Sequence, residues 1–204
     1  MCAGALTATT AGAGEIAMGA ADVVLVGGVE HMGHHPMGAE VDFNPRFVSE
    51  RIVDDSAAVM GQTAENLHDA FPQLTKEAAD AFAVESQRKA SKAWDDGVMD
   101  EIVVPMSVFT EEGWKVAARD EFLRPETTME ALAELRTPFR AGGRVTAGNS
   151  AGLTDGATAA LITSERAAEE LGLEPKMRLA GFAYAGVEPH LMGLGPVPAT
   201  KKVL

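Results

Sequence analysis

The sequence predicts an α/β fold interrupted by a mostly helical inserted segment. A run of small residues with helical spacing leads directly into a continuous apolar stretch, Val23 to Val26. Such β-branched runs are typical of strands covered on both faces, and a helix followed by such a strand is half of a βαβ unit. Between about residues 39 and 140 the chain is polar and irregular, and a glycine-rich, apolar composition like that of the first segment returns at 141–172.

Local signals predict the helices in chain order. Residues 3–21 are predicted to form a helix. Its glycines each cost about 1 kcal/mol, and its small residues indicate close packing against neighbours and burial on several sides. A short helix follows at 63–71, and Thr75 has the character of an N-cap for a helix reaching Trp94. The packing side of that longer helix is predicted to contain Phe82, Ser86, Ala90, Ala93 and Trp94.

The remaining elements are predicted from the same kinds of signal. We expect strands at 101–109, within 155–163 and at 177–187, and short helices at 128–135, from Ser164 to Gly172 and from Pro198 onward. Three or four strands of a parallel sheet are fewer than such sheets usually contain. The sequence therefore predicts an interior piece of a longer polypeptide.

Composition and charge exclude several classes of function. The net charge of −13 opposes nucleic-acid and anionic-membrane partners. A single cysteine excludes an internal disulfide framework, which fits a reducing, cytoplasmic location. No apolar run is long enough to predict a membrane span.

The sole thiol, Cys2, directly precedes the first predicted helix. The free N–H groups and the positive dipole end of a helix favour thiolate over thiol, and the thiolate is the nucleophilic form. A buried, inert cysteine is the alternative. A nucleophilic cysteine also needs a base, usually histidine.

The histidines at 31, 34 and 35 suggest a metal site, but their spacing matches no standard zinc pattern and no second ligand cluster accompanies them. We therefore predict no metal. Histidines in a loop that follows a strand more often make local hydrogen bonds or contact a ligand.

The segment TAGNSAGLTDGA, residues 146–157, contains three glycines directly before an apolar run. Such a segment lets the backbone approach a ligand closely. A plain tight turn is the alternative interpretation.

Five separated motifs, in this order, resemble segments of the thiolases. They are CAGALTA followed by DVVLVGGVEHM, MGQTAEN at 60–66, RPETTMEALAELRTPF at 124–139, VTAGNSAGLTDGATAALI, and MGLGPVPATKK. The resemblance covers essentially the whole chain and implies an incomplete, layered α/β/α thiolase fold with an inserted loop domain. GGVEHMGHHPM together with RPETT is most similar to thiolases of fatty-acid β-oxidation.

The resemblance implies an acyltransferase that cleaves 3-ketoacyl-CoA with CoA through an acyl-cysteine at Cys2. It implies that Met60 lines the pocket near the thioester, that Arg124 and Phe139 contact the nucleotide end of CoA, and that Ala147 lies along the pantetheine channel. It implies no metal or redox cofactor, with CoA as a substrate. Val59, Ala131 and Ala151 replace residues of many biosynthetic members, a histidine and two serines.

Thiolases are about twice as long as this chain, and their activating histidine, second cysteine and oxyanion-hole asparagine lie in a C-terminal half. We therefore expect none of the five histidines here to be the base, and we expect this chain alone to lack thiolysis activity. The resemblance implies a division into 1–38 and 141–172 for the N-terminal domain, 39–140 for the loop domain, and 173–204 for the start of the C-terminal domain.

The implied partners are acyl-CoA and CoA, a second or further copies in a homodimer or tetramer, and possibly a hydratase/dehydrogenase subunit of β-oxidation. Two alternatives stay open: a biosynthetic acetoacetyl-CoA thiolase, and a non-catalytic acyl-CoA-binding protein of the same fold. A ketosynthase shares the fold but is disfavoured by the segment at 145–157.

Overall fold

Helices and strands alternate along the chain, and the computed structural model describes residues 3–38 and 44–204. The helices are α1 (Gly4–Ala17), α2 (Arg46–Ser49), α3 (Met60–Ala70), α4 (Lys76–Asp95), α5 (Met129–Ala133), α6 (Glu165–Glu170) and α7 (Pro196–Val203). The strands are β1 (Val23–His31), β2 (Met106–Thr110), β3 (Gly113–Ala117) and β4 (Asp155–Thr163).

Contacts divide the chain into two units. The first contains 1–45, 153–186 and 194–204, and the second contains 46–152 and 187–193. These units are defined by contacts alone, so the domain boundaries inferred from the sequence stay predictions.

In the first unit, β1 pairs with β4 in antiparallel register, from Val23 opposite Thr163 to His31 opposite Asp155. The expected parallel arrangement is therefore wrong for this pair. The two strands hydrogen-bond to each other although they are not consecutive in the chain, since β2 and β3 come between them in sequence and form a separate sheet. A glycine at the centre of β1 permits this approach, since a Cβ on Gly27 would lie 2.5 Å from the carbonyl oxygen of Thr158.

Helix α1 covers one face of β1 through small residues. A Cβ on Gly12 would lie 3.0 Å from the side chains of both Val24 and Val26, so the helix lies directly on the strand. This confirms the predicted close packing, but the expected burial of the helix on several sides is wrong, because Gly12 is the only buried one of the residues described in α1. The expected burial of the strand on both faces is wrong, because Leu25 on the opposite face is 74% exposed while Val26 is 7% exposed.

The apolar segment 177–187 forms no strand, which corrects the sequence prediction. It lies instead against α1 and α7, through Tyr184. The hydroxyl groups of Tyr184 and Thr10 are 2.7 Å apart, and Lys202 Nζ donates to the Tyr184 carbonyl oxygen at 2.9 Å. A strand needs a neighbour for its backbone groups, and the described sheet of this unit contains only β1 and β4.

Polar N-caps begin three helices, of which those at Thr75 and Ser164 are predicted from the sequence. The hydroxyl of Thr75 accepts from the N–H of Ala78 at the start of α4. The hydroxyls of Thr128 and Ser164 do the same at α5 and α6. Gly172, just beyond α6, has a φ of +64°, the left-handed conformation that favours glycine.

The predicted packing side of α4 is wrong at Phe82 and Ser86, which are exposed, whereas Ala90, Ala93 and Trp94 are half-buried. Phe82 is 78% exposed, whereas Asp80 and Ser91 are buried. A carboxylate turns inward here because the structure supplies it with two hydrogen-bond donors. The inward face of α4 is therefore polar at its centre, which apolar periodicity does not reveal.

The predicted strand at 101–109 is shorter and later than expected. Turn bonds occupy its first part, with Ile102 N and Val103 N donating to the carbonyl oxygen of Met99. Strand β2 begins only after Pro105, which has no N–H to donate to a sheet. It pairs with β3 as a hairpin, and the Phe109 and Trp114 rings meet at 5.4 Å.

Among the residues that the structure describes, no helix combines the length and apolar character needed to cross a bilayer.

Candidate active site

The predicted nucleophile, Cys2, lies outside the described residues, but the helix that follows it is described. Helix α1 has no side-chain hydrogen bond at its N-terminal cap, Ala3, and no acidic residue in its first turn. That turn is fixed to the centre of β1, where a Cβ on Gly28 would come 2.8 Å from the Cβ of Ala5. Among the described residues, no side chain caps the first N–H groups of α1, and free N–H groups at a helix N-terminus favour an anion.

Two other predicted site residues, Arg124 and Ala147, line a single groove in the second unit. The groove has a volume of about 860 Å³. Its walls also contain Phe82, Phe122, Leu123, Leu132, Leu135, Gln87, Thr127, Asp120 and the backbone of 148–152. A mostly apolar groove with a few polar groups is the usual form of a ligand site.

The guanidinium of Arg124 is anchored by its own loop. Its Nη1 donates to the carbonyl oxygens of Glu121 at 2.6 Å and Leu123 at 2.8 Å. The backbone N–H of Arg124 also donates to Gln87 Oε1 at 2.8 Å, which ties the loop to α4.

Two other arginines of this unit, Arg119 and Arg140, are engaged with carboxylates. Arg119 pairs with Asp95 at 3.1 Å, and Arg140 pairs with Asp69. Among the described residues, no carboxylate lies within ion-pair distance of the Arg124 guanidinium. Its charge is therefore available for an anionic ligand.

Ala147 begins a 3-10 turn, 147–149, that is closed at both ends by side chains. The hydroxyl of Thr146 accepts from the N–H groups of Gly148 and Asn149, while Asn149 Oδ1 accepts from Thr146 N at 2.8 Å. Thr146 itself is 1% exposed. The segment is thus more than a plain tight turn: it is a reciprocally capped turn that forms one wall of the groove.

Met60 is the first residue of α3, and Phe139 packs against the same end of that helix. Neither residue lines the groove. The ring of Phe139 sits against Gly61, the residue after Met60. Gln62 Nε2 also donates to the Phe139 carbonyl oxygen. The structure therefore brings Arg124 and Ala147 to one groove and places Phe139 against Gly61, the residue after Met60. The separate roles that the resemblance implies for them stay predictions.

Two buried carboxylates support the site and were not predicted from the sequence. Glu65 on α3 is 1% exposed and accepts from Arg144 N with both oxygens and from Val145 N at 2.8 Å. Asp80 on α4 is 2% exposed and accepts from Lys76 and Asn149. The T-x-x-N spacing at 146–149 was a local signal for the cap, but nothing in the sequence marks either carboxylate as buried.

The predicted histidine loop makes a local hydrogen bond. His31 Nδ1 lies 2.9 Å from Asp155 Oδ2, and Gly33 N donates to Asp155 Oδ1 at 2.8 Å. These bonds, that of Gly33 first, hold the pKa of the Asp155 carboxyl below its ordinary value. The rings of His31 and His34 are 5.4 Å apart, and those of His34 and His35 are 5.0 Å apart. Within the described residues, no three metal-ligating side chains form a group suited to an ion.

The other two histidines are in the second unit. His68 Nδ1 contacts the carbonyl oxygen of Leu74, and the backbone carbonyl of His190 accepts from Asn66 Nδ2 at 3.0 Å. Both contacts join neighbouring segments of that unit and serve its local structure.

Comparison with known proteins agrees with this architecture. The 3-ketoacyl-CoA thiolases of Aliivibrio fischeri and Escherichia fergusonii are 43% and 44% identical over 206 residues, which take in 100% of this chain and 52% of each of those proteins. The structure of human mitochondrial 3-ketoacyl-CoA thiolase matches with a TM-score of 0.84 and 34% identity, over 98% of this chain and 53% of that one. An acetyl-CoA acetyltransferase from Syntrophomonas wolfei matches with a TM-score of 0.82 and 35% identity, over 100% of this chain and 53% of that one.

These matches confirm the predicted α/β, thiolase-like fold class. The chain spans about half the length of the relatives it matches. Residues 1–166 match the family described as the thiolase N-terminal domain, and the chain therefore belongs to the thiolase family.

Proposed function

We propose that this chain supplies the nucleophile and the CoA-binding groove of a 3-ketoacyl-CoA thiolase. The observation that carries the proposal is the position of Cys2, the sole cysteine, immediately before a helix whose first turn lacks a side-chain cap and an acidic residue. A thiolate at such a position is stabilised by free N–H groups and by the helix dipole.

The reaction begins when the Cys2 thiolate attacks the keto carbon of a 3-ketoacyl-CoA. The bond between the α and β carbons then breaks, which leaves the acyl group on Cys2 and releases the enolate of acetyl-CoA, and this enolate takes up a proton. The thiol of a second CoA loses its proton and displaces the acyl group, which regenerates Cys2. The backbone N–H of Cys2 contributes to the site that holds the developing oxyanion.

The proposal assigns the base to none of the five histidines of this chain. His31 contacts Asp155, and the described contacts of His68 and His190 are with backbone atoms of local segments. As the resemblance implies, the activating histidine of this proposal lies in the part of the longer relatives that this chain does not span.

The groove in the second unit fits CoA by its chemistry. Arg124 offers a fixed positive charge for the phosphates, and the apolar walls with the capped turn at 147–149 suit the narrow pantetheine arm. Asp120 also lines the groove and opposes an anion near it. We assign the phosphates to the neighbourhood of the Arg124 guanidinium.

The substrate class and the partners rest on the relatives. Several bacterial proteins that are 43–44% identical are named 3-ketoacyl-CoA thiolases, which supports the degradative reaction of fatty-acid β-oxidation over acetoacetyl-CoA synthesis. We extend the proposal to a homodimer or tetramer and to association with a hydratase/dehydrogenase subunit. The cytoplasmic location stays a prediction.

Alkylation of Cys2 tests the proposal directly, because iodoacetamide has no second thiol to modify. The rate constant is measured against pH, with the Cys2→Ser variant as the background. A thiol pKa well below the free value of about 8.5, and protection by acetyl-CoA, are expected. A pKa near 8.5 would favour the alternative of a non-catalytic acyl-CoA-binding protein.

A cleavage assay tests the assignment of the base. The 204-residue chain is incubated with acetoacetyl-CoA and CoA, and we expect no turnover. Turnover comparable to that of an intact thiolase would overturn the assignment of the base to residues outside this chain.

A further inference from the structure

A chain of buried hydrogen bonds joins helix α4 to the capped turn of the groove. Lys76 Nζ donates to Asp80 Oδ2 at 2.6 Å, and Asn149 Nδ2 donates to Asp80 Oδ1 at 2.9 Å. Lys76 also donates to the carbonyl oxygen of Leu132 on α5, at 2.8 Å. Asp80 is therefore the point at which α4, α5 and the turn are tied together.

The amide of Asn149 ties this anchor to the segment that precedes the turn. Its Nδ2 donates to the carbonyl oxygen of Arg144 at 2.9 Å, and its Oδ1 accepts from Thr146 N at 2.8 Å. The amide can make these bonds in only one orientation, because its nitrogen donates and its oxygen accepts. The bond to Asp80 selects that orientation, since a carboxylate oxygen accepts from an N–H and repels an amide oxygen.

The position of the turn is tightly constrained on its other side. A Cβ on Gly148 would lie 2.3 Å from a methyl carbon of Leu132 and 2.6 Å from one of Leu135. The turn is thus pressed on α5 while its side chains are held by α4. A small displacement would change the width of the groove, which Ala147 and the following residues line.

We propose that Asp80 is a positioning residue that fixes the wall of the groove against which the pantetheine arm of CoA lies. This inference rests on the proposed function, because it takes the groove to be the CoA site. Asp80 is 2% exposed and does not line the groove. It acts through Asn149 and touches no ligand.

The substitution Asp80→Asn isolates the role of the second oxygen. A carboxylate offers an acceptor to Lys76 and another to Asn149, whereas an amide offers one oxygen and turns its NH₂ toward the second donor. The Lys76 ammonium makes the stronger, charge-assisted bond and keeps the oxygen, so the NH₂ group faces Asn149 and the turn loses its partner. The size and shape of the side chain are otherwise unchanged.

Calorimetric titration of the 204-residue chain with two ligands tests the proposal. The ligands are CoA and adenosine 3′,5′-bisphosphate, which has the nucleotide phosphates but no pantetheine. The ratio of their dissociation constants measures what the pantetheine arm contributes. In Asp80→Asn we expect this contribution to fall about tenfold, with binding of the bisphosphate unchanged within about twofold.

The matched control is Asp96→Asn at the end of the same helix. Asp96 pairs with Lys92 at i,i+4 as Asp80 pairs with Lys76, but it is exposed and contacts no part of the turn. The charge change is the same, and the ratio is expected to stay at the wild-type value. Circular dichroism verifies that each variant is folded.

The outcomes separate the two proposals. Absence of CoA binding by the wild-type chain would overturn the assignment of the groove to CoA. If the wild type binds both ligands equally, or if Asp80→Asn weakens both to the same extent or neither, the positioning role is wrong. Should Asp80→Asn fail to fold, Asn149→Ser removes the bridge and keeps the Lys76–Asp80 pair, and the same selective loss is required of it.

Discussion

The ring of Phe139 lies over Gly61 so closely that a Cβ on this glycine would come 2.2 Å from the ring. The contact joins the end of the segment 124–139 to the first turn of α3, and Gln62 reinforces it by donating to the Phe139 carbonyl oxygen. Two motifs that are far apart in the sequence thus share one packed contact, and glycine is required there for space.

Gly61→Ala is therefore expected to lower the free energy of unfolding by about 1–3 kcal/mol, because the ring must leave its place. Urea unfolding followed by circular dichroism measures the change. Gly14→Ala is the matched control: it lies in α1 with open space around the added methyl group. That variant is expected to gain about 0.5–1 kcal/mol. A gain of the same size at Gly61 would contradict the packing argument.

The carboxylate of Glu65 replaces a missing backbone partner for the segment before the capped turn. It accepts from Arg144 N and Val145 N. Glu65→Gln places an NH₂ group against one of these donors, so a loss of about 1–3 kcal/mol in the free energy of unfolding is expected. Urea unfolding at neutral pH measures it.

Glu112→Gln serves as the comparison for Glu65→Gln. Glu112 is a largely exposed carboxylate paired with Lys115, and its loss is expected to cost less than about 1 kcal/mol. Gly143→Ala is a second test of the same contact: the added Cβ would lie 2.3 Å from Glu65 Oε1, so this variant is also expected to lower the free energy of unfolding. If Glu65→Gln were no more damaging than Glu112→Gln, the carboxylate would not be holding the segment.

Local chemistry explains which parts of the fold were predictable. Each cap at Thr75, Thr128 and Ser164 joins a hydroxyl to an N–H only three residues away, so a short stretch of sequence is enough to predict it. The small residues of α1 likewise indicated close packing, and the contact of Gly12 with Val24 confirms it.

Partners at long range explain what was missed. The apolar run at Val23–Val26 predicts a strand but does not show which of its faces α1 covers. The segment 177–187 has strand propensity, but it forms no strand because no neighbouring strand in the described part of the chain pairs with it. Asp80 meets Asn149 across 69 residues, and Glu65 meets Val145 across 80. The residue type does not show whether a carboxylate is buried or solvated, so only the fold distinguishes the two cases.

The turn after β1 is held by a carboxylate from the opposite strand, which makes its stability depend on pH. The N–H of Gly33, and then His31, hold the pKa of Asp155 below its ordinary value of 3.8. A depressed carboxyl pKa stabilises the fold fully above the unfolded-state value, and this contribution is lost as the pH falls through the folded-state value. The loss from this site therefore begins near pH 3.8 and continues below it.

Asp155→Asn is expected to be less stable than the wild type at pH 7, and the difference is expected to shrink as the pH falls below 3.8. Urea unfolding at a series of pH values measures this difference. The comparison variant is His31→Ala, which keeps the larger contribution, that of Gly33, and so retains most of the pH-dependent difference from Asp155→Asn. A difference that persists unchanged well below pH 3.8 would be inconsistent with a role for the ionised carboxylate.

The guanidinium of Arg124 is held by two carbonyl oxygens of its own loop at the edge of the groove, so its charge is pre-positioned for a phosphate. Arg124→Gln is expected to weaken binding of adenosine 3′,5′-bisphosphate about tenfold at low salt and to reduce the salt dependence of that binding. The ratio that reports the pantetheine contribution is expected to stay unchanged. Arg166→Gln is the control, because Arg166 pairs with Asp22 and Glu170 in the other unit. Equal weakening by both variants would show a general effect of net charge and remove Arg124 from the phosphate site.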